Sequence, residues 1–270
     1  MLRISGTGAT HVGLVRDHNE DAAFVGPSCM LVADGVGGGA AGEVAAASAA
    51  FVVSATGLAR PDDDPATVLG DAVAAAQDQV ARGARQRPER EGMATTLTAV
   101  ATDGQRFALA HIGDSRGYLF RDGSLVRITR DHTYVQKLVD EGSLAEEEVP
   151  LHPWRNVVLR SVNGVDGPAD VQVLDLRPRD RLLLASDGLT DFVSEQRITD
   201  LLARKSDDDA VQALVAAALG AGGRDNVTCV VATVVEGPRL LGDGTMLGVM
   251  TDLDNVVDPA AVRMPGIASA

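Results

Sequence analysis

Cysteine is scarce in this chain: only Cys29 and Cys229 occur in 270 residues. Each sits inside an apolar, strand-like run, which fits core packing in a reducing compartment. Neither is followed by an arginine at the spacing of a phosphate-cradling thiolate loop, which argues against a cysteine-nucleophile phosphatase. Lysine is nearly absent, with Lys137 and Lys205 alone. Arginine carries the positive charge, and with abundant alanine this is the composition of a GC-rich bacterial genome. Positive charge is in short supply overall. A formal net charge of −14 and a pI near 4.7 argue against a nucleic-acid or anionic-membrane partner. Two bound divalent cations would still leave the surface acidic. Long hydrophobic runs are missing too: the opening MLRISGTGATHVGLV lacks an apolar signal core, and no uninterrupted run approaches the ~18 residues that span a bilayer. A soluble cytoplasmic protein without membrane insertion is expected.

What is present is a set of aspartates at the ends of apolar runs: Asp34 in LVADG, Asp114 in AHIGDSR, Asp187 in LLLASDG and Asp225 in GRDNVTCVVATV. A carboxylate beside a buried sheet is costly unless paired, and the nearby arginines are too few for all four. Divalent cations would compensate them. Oxygen-only ligands favour magnesium or manganese over zinc or copper. Any single one of these aspartates could merely sit in an ordinary turn; four at the ends of apolar runs are harder to explain that way. The aspartates are scattered along the chain rather than gathered in a compact D-x-D-x-D-G loop, which argues against a calcium-dependent structural domain.

The length suits one large domain, and composition does not change abruptly over the first 236 residues. Residues 2–15 read as a strand leading into the loop Arg16-Asp17-His18-Asn19-Glu20-Asp21. A second strand follows at 22–25, and a third at 29–33 that stops at Asp34-Gly35. Val44, Ser48, Phe51, Val52 and Ala55 give a helix one weakly apolar stripe. A second helix opens with Asp64 as N-cap and Pro65 at the first position, with Leu69, Val73, Ala76 and Val80 on one face. Residues 93–128 read as an antiparallel meander with short turns. The stretch 131–168 reads as an insertion beside the sheet, with a helix at 134–141. Strands at 171–176 and 181–185, helices at 195–203 and 210–219 and a strand at 227–235 complete the domain. The pattern predicts α+β, with helices outside two packed antiparallel sheets. Gly, Pro and Asp interrupt 237–270, which predicts a flexible tail or a linker; the alternative is a segment docked on the domain.

The ordered set of Arg16 with Asn19-Glu20-Asp21, VADGVGG at 32–38, MATTLTA at 93–99, HIGDSRGY at 111–118, ASDGL at 185–189 and GRDNVT at 223–228 resembles the motifs of the PPM family. These are the metal-dependent type-2C serine/threonine protein phosphatases, here in bacterial form. The match spans residues 6–236 and implies an α-β-β-α sandwich whose flap corresponds to 131–168. It implies that Asp34 bridges two Mn²⁺ or Mg²⁺ ions and that the Gly35 carbonyl adds a ligand. Asp187 and Asp225 would complete the direct ligands, while Glu20 and Asp21 act mainly through waters. Asp114, Asp187 and Asp191 would hold a third ion; Asp191 could instead cap the helix after Gly188.

Two cations about 3.5–4 Å apart can hold and acidify a shared water in line with phosphorus, so no covalent phosphoenzyme is needed. Arg16 would grip the phosphate, its bland alternative being a salt bridge to Asp17 or Glu20. Where many eukaryotic members have a histidine after the Asp-Gly, this chain has Val36. The leaving alkoxide then needs another acid, a cation-held water or His18. His11, His111, His132 and His152 read as structural. In the flap, Arg155, Arg160 and Ser161-Val162-Asn163-Gly164 are candidates for substrate contact or coupling to the third ion. The resemblance implies a monomeric enzyme acting on phosphorylated proteins, serine/threonine kinases among them. Narrower readings are a phosphatase for one regulatory partner, such as an anti-sigma-factor antagonist, or a phosphoprotein-binding pseudophosphatase. The complete aspartate set gives no support for catalytic decay.

Overall fold

The computed structural model describes residues 1–36, 41–204, 206–238, 240 and 244–262. Gly37 and Gly38 of the VADGVGG motif, Lys205 and parts of the 237–270 segment lie outside the described residues.

Two antiparallel sheets pack face to face. The first runs β1 (Leu2–His11), β11 (Val227–Glu236), β10 (Arg181–Ala185), β7 (Arg116–Arg121) and β8 (Ser124–Arg127) in spatial order. The second runs β12 (Thr245–Gly248), β2 (Asp21–Val25), β3 (Cys29–Val36), β5 (Leu97–Thr102), β6 (Phe107–Ile112) and β9 (Asp170–Leu174), with the short β4 (Ala94–Thr95) on β3. Ile4, Met30, Val32, Val100, Leu109, Leu182, Leu184 and Val230 fill the space between them. Alternate residues of the same strands face outward to the helices, which is why these strands read as continuous apolar runs.

Helices α1 (Gly42–Ala59) and α2 (Pro65–Gln86) cover the second sheet. Helices α4 (Asp187–Thr190), α5 (Glu195–Leu202) and α6 (Asp207–Gly220) lie on the first. The α-β-β-α sandwich expected from the sequence is the architecture observed. The Asp64 carboxylate caps α2 through the Thr67 amide at 3.0 Å, and Pro65 opens the helix. The segment 131–168, expected to be a flap, carries α3 (Tyr134–Asp140), capped by Thr133, and a short 3₁₀ segment at Glu146–Leu151.

Four details differ from the sequence reading. The single apolar stripe expected of α1 is instead burial on almost every side, because its alanines let it lie close to the sheet, to α2 and to the C-terminal segment. By length and composition α1 could cross a membrane, yet 78% of it is buried inside the fold. Strand β3 does not stop at Asp34-Gly35 but runs on to Val36, because Gly35 and Val36 pair with Thr95 and Ala94. The meander is divided between the sheets: β6 belongs to one and β7 to the other, so the chain crosses over at Gly113-Asp114-Ser115. A crossing and a hairpin both place turn residues between short strands, and local pattern does not separate them.

The fourth concerns the C-terminal segment, which is docked where described. Residues Thr245–Gly248 pair with Val25–Ala22 of β2. Met250 and Val256 are buried against α1 and α2. Ser48 Oγ accepts the Val257 amide at 2.9 Å, and Arg82 meets Asp258 at 3.1 Å. Burial of Met and Val side chains on a ready apolar face outweighs the Gly, Pro and Asp signals that read as flexibility.

Candidate metal and phosphate site

The four aspartates come from four different elements. Asp34 lies in β3, Asp114 in the crossing between the sheets, Asp187 at the start of α4 just after β10, and Asp225 just before β11. They line one cavity of about 220 Å³ together with Arg16, Glu20, Gly35, Val36, Asn156, Val158 and Asn226. Asp21 faces Asp34 across the β2-β3 pair. A second cavity of about 580 Å³ opens beside residues 131–156, shares Asp114, Asn156 and Asp187 with the first, and adds Asp191 and Arg155.

Local contacts explain this convergence. A side chain on Gly188 would meet the Asn226 carbonyl at 1.9 Å, so only glycine lets the start of α4 sit against the Asp225-Asn226 turn. Asp34 is pinned by its backbone: its amide donates to Thr96 Oγ1 at 3.0 Å, and its carbonyl accepts from the Thr96 amide at 2.8 Å. The buried Asn226 ties down the Arg16 loop, donating to the Val12 and His18 carbonyls and accepting the Glu20 amide. Ser186 Oγ donates to Asp21 Oδ2 at 2.9 Å and accepts the Thr228 amide.

The electrostatics are those of uncompensated charge. Burial, then repulsion from Asp21, Asp187, Asp114 and Asp225, pushes the Asp34 carboxyl well above the usual carboxylate range. Asp187 is raised in the same way, by burial and then by Asp114, Asp191 and Asp225. Burial is also the main cause at Asp114, raised to about 7, and at Asp21, raised to about 6. Asp21 Oδ1 is buried with no hydrogen-bond partner. Such a set of oxygens suits hard divalent cations, which would supply the missing countercharge. Among the described residues, no three acidic, histidine or cysteine side chains already converge to ligating distance.

Arg16 is half exposed and makes neither of the salt bridges its sequence neighbours suggested. Its Nη2 meets Asp225 Oδ2 at 2.7 Å, across 209 positions, and this bond raises the guanidinium pKa. His18 Nε2 lies 3.4 Å from Glu20 Oε1 at the rim. Val36 forms part of the cavity wall. Asp191 does not cap the start of α4; its amide closes the end of that helix on the Asp187 carbonyl, and it lines the larger cavity. Of the flap candidates Arg155 reaches that cavity. Arg160 instead pairs with Asp170, and the Asn163 and Gly164 amides are held by Gln77 on α2.

Sequence reasoning missed Thr96, Ser186 and Asn226. Ser186 and Asn226 each adjoin a motif aspartate in the sequence, and that placement was the available signal; Thr96 has no such neighbour and meets Asp34 only through the fold.

The protein phosphatase 2C profile matches residues 6–221. The chain belongs to this family. It is 43% identical over 224 residues to the serine/threonine protein phosphatase PstP of Mycobacterium tuberculosis, covering 83% of this chain and 44% of that protein. It is 33% identical over 231 residues to the serine/threonine phosphatase stp of Listeria welshimeri, covering 81% of this chain and 91% of the relative. The chain thus spans less than half the length of the mycobacterial relatives. Among solved structures, the crystal structure of M. tuberculosis PstP superposes with a TM-score of 0.80 at 41% identity, covering 87% of this chain and all of that one. The PstP catalytic domain in complex with two manganese ions gives a TM-score of 0.79 at 41% identity over the same shares.

Proposed function

We propose that this type-2C phosphatase-family chain hydrolyses phosphoserine and phosphothreonine in proteins. Its centre would hold two Mn²⁺ or Mg²⁺ ions, and it would oppose serine/threonine kinases. The observation that carries the reading is the convergence on one cavity of four half-buried carboxylates from four elements, of which Asp34 and Asp187 are raised by burial and mutual repulsion. Asp34, the Gly35 carbonyl, Asp187 and Asp225 are the direct ligands in this reading, with Glu20 and Asp21 behind them. Asp114, Asp187 and Asp191 form the candidate third site. When bound, the cations supply Lewis acidity that lowers the pKa of water and offsets charge on the phosphate.

The chain's own residues do the rest. Thr96, Ser186 and Asn226 fix the carboxylates and the Arg16 loop through the hydrogen bonds described above. Arg16, now held by Asp225, would be free to offer its planar fork to two phosphate oxygens if Asp225 served as a cation ligand. Val36 offers no proton, so protonation of the leaving oxygen falls to water held in the site or to His18. The catalytic region is one domain over 6–236, with 131–168 as its flap. Free, buried Cys29 and Cys229 suit a reducing, cytoplasmic compartment.

Direct attack by water predicts phosphate release without a labelled protein species. Acid quenching of a reaction with ³²P-phosphothreonine protein substrate in Mn²⁺ tests this. Free phosphate with no label on the chain supports the reading, and an acid-stable phosphoenzyme contradicts it.

A further inference from the structure

The crossing that carries Asp114 is gripped on both sides by one dipeptide, Asp131-His132. On its N-terminal side, the Gly113 amide donates to His132 Nδ1 at 3.1 Å, while the His132 amide donates to the Gly113 carbonyl at 2.8 Å. On its C-terminal side, Asp131 Oδ2 accepts from Arg116 Nε at 3.0 Å and Nη2 at 2.8 Å, and Asp131 also pairs with Arg127. Arg116 reaches on to the Thr190 carbonyl at 3.5 Å, at the end of the helix that begins with Asp187 and stops at Asp191. Gly113 has φ +110, and a Cβ there would sit 2.6 Å from Thr96 Cβ, so the crossing has little freedom of its own.

The same dipeptide reaches the flap. The Leu159 amide donates to the His132 carbonyl at 2.7 Å, Thr133 bridges Val158, and the Tyr134 amide donates to the Val157 carbonyl. Because Nδ1 accepts the Gly113 N–H, the ring proton of neutral His132 is on Nε2, where it donates to Asp170 Oδ2 at 3.1 Å. Arg160 Nη1 lies 2.9 Å from the same nitrogen and donates one of its two hydrogens to Asp170 Oδ1 at 3.0 Å. Asp170 thus fixes the tautomer that the Gly113 contact requires.

We propose that Asp131-His132 is a positioning pair that sets Asp114 against Asp187 and Asp191 and links it to the flap segment 157–159. The inference rests on the cation-site reading above. It predicts that the weakest class of cation site depends on His132, whereas the site built on Asp34 and Asp225 does not. Partners behind metal ligands typically change affinity by about 10–100-fold when lost.

The test is Mn²⁺ binding to the full chain, read by calorimetry and by the electron paramagnetic resonance signal of free Mn²⁺. Wild type, His132→Ala, His132→Asn and Asp170→Asn are compared, with thermal melts in parallel. The pair predicts a weak class loosened about 10-fold in His132→Ala and a tight class unchanged. Asparagine, whose amide oxygen can accept the Gly113 N–H, restores most of the loss, and Asp170→Asn shifts the same class by a smaller factor. An unchanged isotherm in folded His132→Ala overturns the proposal, as does equal loosening of all classes or a wild type with no weak class. Should His132→Ala not fold, the exposed Asp170→Asn decides, and an unchanged isotherm there overturns the proposal. Binding is read without turnover, so an inactive wild type that still shows the His132-dependent class would sink the phosphatase reading alone.

Discussion

Asp187 shows why residue type matters more than shape at this site. Asparagine keeps its volume and some hydrogen bonding but removes the charge that a cation needs, and direct cation stabilisation of transferring phosphate is worth several kcal/mol. Asp187→Asn is therefore expected to lower kcat on a phosphothreonine peptide by roughly a thousand-fold while leaving the metal-free melting temperature equal or higher, since one repelling carboxylate is gone. A steady-state assay with a paired melt in EDTA checks both halves. Arg16 makes a different contribution. Arg16→Ala removes charge-assisted hydrogen bonds worth about 1.5–3 kcal/mol, roughly a 10–100-fold loss in kcat/KM. Arg16→Lys recovers the charge but not the fork, so it should fall between the two. Equal kcat/KM for alanine and lysine variants would show that Arg16 does not grip the phosphate through its fork.

At the scale of elements, much of the sandwich was legible because its strands and helices carry strong local signals. Asp64-Pro65 announces α2, and the buried run of β10 ends at the Ser186-Asp187 motif. What could not be read is which sheet a strand joins. β6 and β7 are adjacent in sequence and separated only by the crossing, yet they pair in different sheets, a choice made by distant partners β9 and β10. The site was readable at its aspartates, which break apolar runs, and unreadable at Thr96, Ser186 and Asn226, whose roles depend on who stands opposite. The docked C-terminal segment was hidden for a similar reason: Met250 is unremarkable in sequence, but it is fully buried against α1. Met250→Ala is expected to destabilise the fold by about 2–3 kcal/mol, measured by urea unfolding. A change below 0.5 kcal/mol, on the order of an exposed substitution, would mean that the segment is not docked in solution.

The whole molecule is acidic, and its most concentrated acid lies in its centre. Carboxyls whose folded pKa is raised hold protons that the unfolded chain has already released, so the folded state loses stability as pH climbs between the two values. For Asp114 and Asp21 that window runs from the ordinary aspartate value of 3.8 to about 7 and about 6. His111, pushed down to about 4 by burial, works the other way, but the raised carboxyls Asp21, Asp34, Asp114 and Asp187 outnumber it, so the metal-free protein should melt at progressively lower temperature as pH rises from 4 toward 7. Excess Mn²⁺ at pH 7 should reverse the trend, because a ligand that binds only the folded state raises stability with its concentration. A metal-free melting temperature that rises over the same window would contradict the electrostatic account.

The central claim is that these carboxylates form a cation-dependent phosphoprotein hydrolase, and one experiment meets it directly. Phosphate release from a phosphothreonine peptide is followed with Mn²⁺, with EDTA, and with Asp187→Asn in Mn²⁺. The account predicts turnover in the first case alone. Turnover that survives EDTA or Asp187→Asn, or a folded, Mn²⁺-binding wild type that releases no phosphate, would contradict it.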